Sequence, residues 1–504
     1  MDLRKLQNGS DIRGVAVEGI ENEPVTLREE EVSLFARGFL TFIRKKTGKK
    51  DIRIAIGHDS RISADALSTA VINALKEDGA YVLDCGLAST PSMFMATIFE
   101  DYACDASIML TASHLPFNRN GMKFFDKDGG LNKEDIKALI ENAINKDFET
   151  LENGQIVKAN LLDTYSNFLV DLIRKEVNHA DHYDTPLEGM HIIVDAGNGA
   201  GGFYAEKVLK VLGANIEGSQ FLEPDGMFPN HIPNPEDKDA MHSICEAVKA
   251  NNADLGIIFD TDVDRSSAVD GKGREISRNA IVALAAALVC EKHPGTTIVT
   301  DSVTSDELHD FLENVLKVKH LRFKRGYKNV INEAVRLNEN GIDAQLAIET
   351  SGHAALKENH FLDDGAYLAT KIVIRAAKMF SEGKTFDELI KDLKHPLEER
   401  ELRFRINCED FQSYGDKVLE LLKEYPNEHP EFNLAKVNHE GLRFSFDKEH
   451  GNGWCLLRKS LHDPILPLNV ESNTEGGCKV IIQQLAKFLT QFDQLDLSAL
   501  DQYL

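Results

Sequence analysis

The chain has 504 residues, 42% hydrophobic and 28% charged, which excludes a disordered polymer and, by length, a single core; about three or four domains are expected. A formal net charge of −25 argues against general nucleic-acid binding, and a phosphorylated substrate would need a local concentration of Arg, Lys or metal to overcome it. Seven scattered cysteines without a Cys-x-x-Cys pair fit a reducing compartment. Residues 1–10 hold no apolar run and residues 280–290 are too short to cross a bilayer, so a cytoplasmic protein without membrane contact is expected.

The chain opens with Gly9-Ser10-Asp11-Ile12-Arg13-Gly14, a turn whose arginine can offer a fixed fork of donors to phosphate. Helical periodicity over residues 32–47 precedes a strand at 52–57, which leads into His58-Asp59-Ser60-Arg61. A helix over 63–76, a strand over 80–83 and a helix over 90–99 follow. This alternation predicts a parallel sheet with crossover helices. A further apolar strand stops at Leu110 and is followed by Thr111-Ala112-Ser113-His114-Leu115-Pro116, with Gly121 and Lys123 beyond. Pro116 cannot continue a ladder, so Ser113 is expected on a tight loop at a strand end, an exposed hydroxyl beside a proton acceptor and a cation.

Helices over Lys133–Asn145 and Leu161–Val177 flank a polar segment, residues 147–155, and the connection 178–186 is polar and His-rich. The strand 191–195 runs into Gly197-Asn198-Gly199-Ala200-Gly201-Gly202 and a helix over 204–212. Gly197, Gly199 and Gly202 satisfy G-x-G-x-x-G, and Glu217 lies about 20 residues on, so a dinucleotide site competes here with simple tight packing. The turn-rich Pro224-Asp225-Gly226-Met227-Phe228-Pro229-Asn230-His231-Ile232-Pro233-Asn234-Pro235-Glu236 comes next. The strand Leu255–Phe259 then ends in Asp260-Thr261-Asp262-Val263-Asp264-Arg265. Carboxylates at alternate positions of a loop can converge on one hard cation. An EF-hand is excluded, since Arg265 stands where its glycine is needed and Gly271 where its glutamate is needed.

The helix Asn279–Cys290, the strand Thr297–Thr300 and a helix over 305–315 repeat the alternation. Phe323-Lys324-Arg325-Gly326 gathers cations around a glycine, suited to an anion. After the strand Ala344–Ile348 come Glu349, Ser351 and His353, able to bind vicinal hydroxyls and move protons, and then Asp363-Asp364-Gly365. The charged stretch 397–405 is composed like an interdomain connection. A strand over 453–458 enters Lys459-Ser460-Leu461-His462-Asp463-Pro464, and Ser472-Asn473-Thr474-Glu475 reads as a capping box before a helix over 478–492.

Taken together, these motifs resemble the α-D-phosphohexomutases, the family of phosphoglucomutase and phosphomannomutase. The family's serine loop is T-A-S-H-N-P followed by G-x-K. Thr111, Ala112, Ser113, His114, Pro116, Gly121 and Lys123 match it, with Leu115 in place of the asparagine. Its D-G-D-x-D-R metal loop is matched by Asp260, Asp262, Asp264 and Arg265; Thr261 replaces the glycine, and a β-branched residue resists positive φ there. Its G-E-x-S-G-H sugar loop is matched from Glu349 to His353, with Ile348 in place of the first glycine. Of the R-x-S-G/N-T-E-P phosphate loop only Arg458, Ser460 and Pro464 remain.

The resemblance implies an α/β fold of four domains around a central cleft, three α/β with mixed, mostly parallel sheets and a smaller C-terminal α+β domain. The boundaries expected are 1–155, 156–272, 273–396 and 397–504. It implies transfer of a phosphoryl group between O1 and O6 of a hexose through phosphorylated Ser113 and a hexose bisphosphate. Mg²⁺ would sit on Asp260, Asp262, Asp264 and the phosphorylated Ser113, beside Arg265. Arg13 and Lys123 would add positive potential, and His114 and His353 would carry protons. Lys324, Glu349, Ser351, His353, Arg458 and Ser460 would bind substrate. Two alternatives stay open: a nicotinamide-dependent enzyme using Gly197, Gly199 and Gly202, and a non-catalytic relative serving as an interaction protein. The motifs do not specify the sugar or the oligomeric state.

Overall fold

Apolar runs separated by glycine, proline and charge become strands and helices at nearly every place the pattern announces them. The computed structural model describes residues 2–152, 154–460 and 463–504. They form two compact units, Met1–Leu288 with Ser351–Leu389, and Val289–Thr350 with Ile390–Leu504.

In the first unit the strands Arg53–His58, Tyr81–Leu87 and Ala106–Leu110 run parallel, joined by the helices Ala64–Glu77 and Thr90–Met95. Parallel neighbours need such crossovers, and their C-terminal ends then share one edge of the sheet. Arg119–Asp126 and Asp11–Val15 extend the sheet antiparallel. The helix Glu29–Thr47 buries Val32, Phe35, Phe39 and Ile43 on one face, and the Phe39 ring lies 4.8 Å from that of Phe124. Burying one such side chain contributes about 1.5–3 kcal/mol. The strand Gln155–Lys158 pairs parallel with Tyr81–Leu87; all four of its residues are exposed, so no apolar alternation marked it in the sequence.

A second sheet in this unit sets Ile192–Asp195 parallel to Leu255–Phe259, which Ser266–Asp270 continues antiparallel. The helix expected over residues 204–212 is instead a π-helical segment, Tyr204–Leu209, in which Tyr204, Ala205, Val208 and Leu209 are all buried. The hairpin Ala354–Leu356 with Leu362–Asp363 and the long helix Gly365–Ser381 complete the unit.

In the second unit Thr297–Thr300 lies between Lys319–Arg322 and Ala344–Ile348, all parallel. An antiparallel sheet follows, with the helices Phe411–Glu424 and Gly477–Leu489 sharing its core. Two expectations fail here. Residues 397–405 are no connection: Glu398–Ile406 is a nine-residue strand paired along Ile465–Ser472. Its charges line the exposed face while Leu402, Phe404 and Ile406 are buried, an alternation hidden by the run of Glu and Arg. Nor does Ser472 cap the last helix. Its Oγ donates to the Gly451 carbonyl (2.6 Å), and the Glu398 carboxylate accepts from the Gly476 and Cys478 amides at 2.9 and 3.0 Å. A carboxylate borrowed from a neighbouring strand thus neutralises the helix N-terminus. Among the described residues, no helix is long and apolar enough to cross a membrane.

Candidate active site

Ser113 leaves the C-terminal end of the strand Ala106–Leu110 with φ of 50°, left-handed for a residue that carries a Cβ. The expectation of an exposed hydroxyl is wrong: Ser113 is buried, at 8% exposure, because its side chain turns inward toward the aspartate loop. Its Oγ donates to Asp260 Oδ2 at 3.2 Å, accepts from Arg265 Nη2 at 3.2 Å and lies 3.3 Å from His114 Nδ1.

Asp260, Asp262 and Asp264 are all buried, each offering an oxygen within 4.8 Å of the others. Positive φ in this loop falls on Val263 (67°) rather than on Thr261, so the backbone keeps its tight turn at a cost of about 1–3 kcal/mol. The Gly365 amide holds the strained residue by its carbonyl at 3.1 Å; a Cβ on Gly365 would meet the Arg265 backbone at 2.5 Å. Thr90 donates its hydroxyl to Asp262 and its amide to the Asp262 carbonyl. Lys123 bridges Asp262 (3.0 Å) and Asp264. Asp262 Oδ1 and Asp264 Oδ1 are buried without a hydrogen-bond partner. Buried carboxylate oxygens left so are costly, and a hard cation is what oxygen ligands of this kind accommodate. The residues present therefore fit a metal ion.

The two histidines are driven in opposite directions. Burial, reinforced by Arg265 and Arg13, pushes His114 down to about 3, so it is neutral and its Nδ1 accepts from Arg265 Nη2 at 2.8 Å. Burial acts against charge on His353 too, but Asp363, in direct contact, and Asp264 outweigh it and lift the imidazole to about 9. Burial and the neighbouring Asp264 hold Asp260 well above the usual carboxylate range. Asp264 is held below it, because Lys123, His353 and Arg265 overcome burial. Arg13 pairs with Asp11 at 2.8 Å and lies against the Thr111 carbonyl (3.5 Å) at the base of the serine loop.

Several residues here had no role assigned from sequence. Asp59 and Arg61, from His58-Asp59-Ser60-Arg61, are buried beneath the serine loop. The turn-rich segment ending at Glu236 supplies Phe228, whose ring lies 5.3 Å from the Arg61 guanidinium, and Asn234, which accepts from Arg265 Nη1 at 3.0 Å. The glycines of the G-x-G-x-x-G pattern serve packing: a Cβ on Gly199 would lie 2.6 Å from the Thr261 carbonyl, and one on Gly202 2.2 Å from that of Leu222. Backbone thus stands where a side chain at either position would go, as tight strand-to-helix packing requires.

Models of the phosphoglucomutase/phosphomannomutase family match the chain in sequence: alpha/beta/alpha domain I over residues 4–151, domain II over 166–273 and domain III over 277–396. A phosphoglucomutase/phosphomannomutase of Thermococcus kodakarensis is 30% identical, the alignment covering 94% of this chain and 97% of that protein. The chain belongs to this family. A phosphomannomutase/phosphoglucomutase of Pseudomonas syringae pv. tomato is 28% identical over 92% of this chain and 91% of its own. A crystal structure of a family protein from Burkholderia thailandensis superposes with a TM-score of 0.78 at 25% identity, covering 97% of this chain and 98% of that one. Like its relatives, the chain is a mutase, an isomerase of the phosphohexomutase type.

The remaining family positions divide between the two units. Ser351 and His353 belong to the first, Glu349 to the second. Within the second unit, Glu349 Oε1 accepts from the Gly326 amide at 2.6 Å, tying the Lys324-Arg325-Gly326 turn to the end of the strand Ala344–Ile348; Lys324 itself is exposed. Glu440 accepts from Ser302 Oγ and from the Arg325 amide (3.1 Å), and its other oxygen lies 3.8 Å from Arg458 Nη1. Ser460 Oγ accepts from the Asp463 amide at 3.2 Å. Leu461 and His462, where the phosphate loop departs from the family pattern, lie outside the described residues.

Proposed function

We propose that the chain interconverts hexose 1-phosphate and hexose 6-phosphate, glucose and mannose phosphates being the substrates to try first, with Ser113 as the phosphoryl carrier. The position of Ser113 Oγ, 3.2 Å from both Asp260 Oδ2 and Arg265 Nη2, carries this reading. Asp260, Asp262, Asp264 and an oxygen of the phosphorylated Ser113 would hold Mg²⁺, which when bound would supply positive charge against the transferring group.

In the first half of the cycle the P–Oγ bond of phosphorylated Ser113 breaks as a hydroxyl oxygen of the sugar forms the new P–O bond. Arg265 stabilises the Oγ that departs, and Lys123 offsets the carboxylates around it. The proton lost by the sugar hydroxyl is balanced by the one that Ser113 Oγ gains; His353, charged beside Asp363, is suited to give a proton, whereas His114, held neutral with its Nδ1 accepting from Arg265, is a weak base. The bisphosphate then returns its other phosphoryl group to Ser113 Oγ, with the sugar turned end for end. Glu349 and Ser351 would hold sugar hydroxyls in either orientation, and Lys324, Arg458 and Ser460 the phosphate not reacting.

The test is turnover of glucose 1-phosphate and mannose 1-phosphate with Mg²⁺ and a hexose bisphosphate primer. Turnover of at least one sugar, lost in Ser113→Ala, is expected. Full turnover by Ser113→Ala, or none by the unaltered chain with either sugar, overturns the proposal.

A further inference from the structure

Both polar groups of the Ser113 peptide unit are fastened to one buried ion pair. On the amide side, Ser113 N–H donates to Thr111 Oγ1 at 2.9 Å, and that hydroxyl donates to Asp59 Oδ2 at 2.6 Å. On the carbonyl side, the Ser113 oxygen accepts from Arg61 Nη2. Asp59 and Arg61 face each other, Nε to Oδ2, at 3.3 Å with both side chains 0% exposed. Arg61 does more than meet Ser113. Its guanidinium also donates to the carbonyls of Leu115 (2.7 Å), Pro116 (2.8 Å) and Arg119 (2.9 Å), so one planar fork gathers the loop from 113 to 119.

We propose that Arg61, braced by Asp59, is a positioning residue that fixes the left-handed backbone of Ser113 and thereby aims its Oγ at Asp260 and Arg265. The proposal rests on Ser113 being the phosphoryl carrier. A side-chain-bearing residue in the left-handed region persists only where its surroundings over-determine it, and here the surroundings are these hydrogen bonds. A buried charge pair has no net stabilising advantage over apolar packing, so its placement around one catalytic loop calls for another reason. The planar fork supplies it. Lysine presents a point charge and cannot hold four carbonyls in one plane. Misplacing a reacting atom by about 1 Å costs on the order of 100-fold in rate without requiring lost affinity.

The experiment compares the unaltered full-length chain with Arg61→Lys and Thr111→Val. Arg61→Lys keeps the charge facing Asp59 but not the fork; Thr111→Val keeps the ion pair but releases the Ser113 amide. For each, kcat and KM, the rate at which Ser113 gains a phosphoryl group from glucose 1,6-bisphosphate, and calorimetric Mg²⁺ binding are measured. The expected result is a fall in kcat of about 100-fold for Arg61→Lys and about 10-fold for Thr111→Val, with matching losses in labelling rate. KM and Mg²⁺ affinity should stay within about threefold, because the carboxylates and sugar-binding groups are untouched. Should Arg61→Lys fail to fold, Thr111→Val decides alone. A folded variant that labels Ser113 and turns over at more than half the unaltered rate, or one that loses KM in place of kcat, overturns the positioning role. An unaltered chain that never labels Ser113 overturns the function beneath it instead.

Discussion

The serine and aspartate loops of the first unit and the Arg458 loop of the second handle charge in different ways. In the first, Ser113, Lys123, Arg265 and all three aspartates are buried, and each meets several named partners across loops distant in sequence. In the second, Lys324 is exposed, and Arg458 stands 3.8 Å from Glu440, beyond hydrogen-bonding reach. The first arrangement is preorganised chemistry, bought with a strained Ser113 and a strained Val263. The second leaves Lys324 exposed and sets Arg458, largely buried, opposite an equally buried Glu440; under the proposed function these cations would take the phosphate not reacting. Removing a group from the first should therefore cost kcat, and from the second KM.

The sharpest way to break that contrast is Ser113→Ala, for which turnover should fall by about 10⁴-fold or more in a coupled assay with Mg²⁺ and bisphosphate. Asp262→Asn removes one carboxylate of the acidic cluster; under the proposed function kcat should fall by about 10³-fold, with weakened Mg²⁺ binding by calorimetry. Arg458→Ala should do the opposite, raising KM by about 10-fold while kcat holds. A kcat effect equal to that of Asp262→Asn would erase the distinction.

The smallest effect expected is on stability. Burial, with Glu307 beside it, pushes Glu471 up to about 7, while its oxygen accepts from Trp454 Nε1 at 2.9 Å. The folded chain thus binds this proton more tightly than the unfolded chain, whose glutamate titrates near its ordinary value. Stability falls as pH rises between the two, by about 3 kcal/mol at most for this group. Glu471→Gln should flatten that decline in chemical denaturation between pH 5 and pH 8; an unchanged slope would mean that Glu471 does not carry it.

Much of the candidate site's geometry was legible because chemistry and local pattern coincided. Thr111 to Lys123 and Asp260 to Arg265 each follow a buried strand, one in each of two sheets, and the carboxyl ends of such strands are where open α/β sheets place their ligands. What escaped was long-range or masked. Arg61 and Asp59 act on a loop some fifty residues away, and nothing local to His58-Asp59-Ser60-Arg61 names that target. Thr261 drew attention to backbone strain, yet the strained residue is Val263, because φ is settled by the turn as a whole. The strand Glu398–Ile406 hid behind its solvent-facing charges, and Ser472 was outbid as a cap by Glu398, a residue 78 positions from the Gly476 amide it holds.

Locating the phosphoryl group on the chain tests Ser113 as its carrier most directly. The unaltered chain, incubated with glucose 1,6-bisphosphate and Mg²⁺ and then digested, should yield one phosphopeptide whose fragmentation places the phosphate on Ser113. A phosphate found on a different residue, or turnover proceeding with Ser113 never labelled, would contradict it.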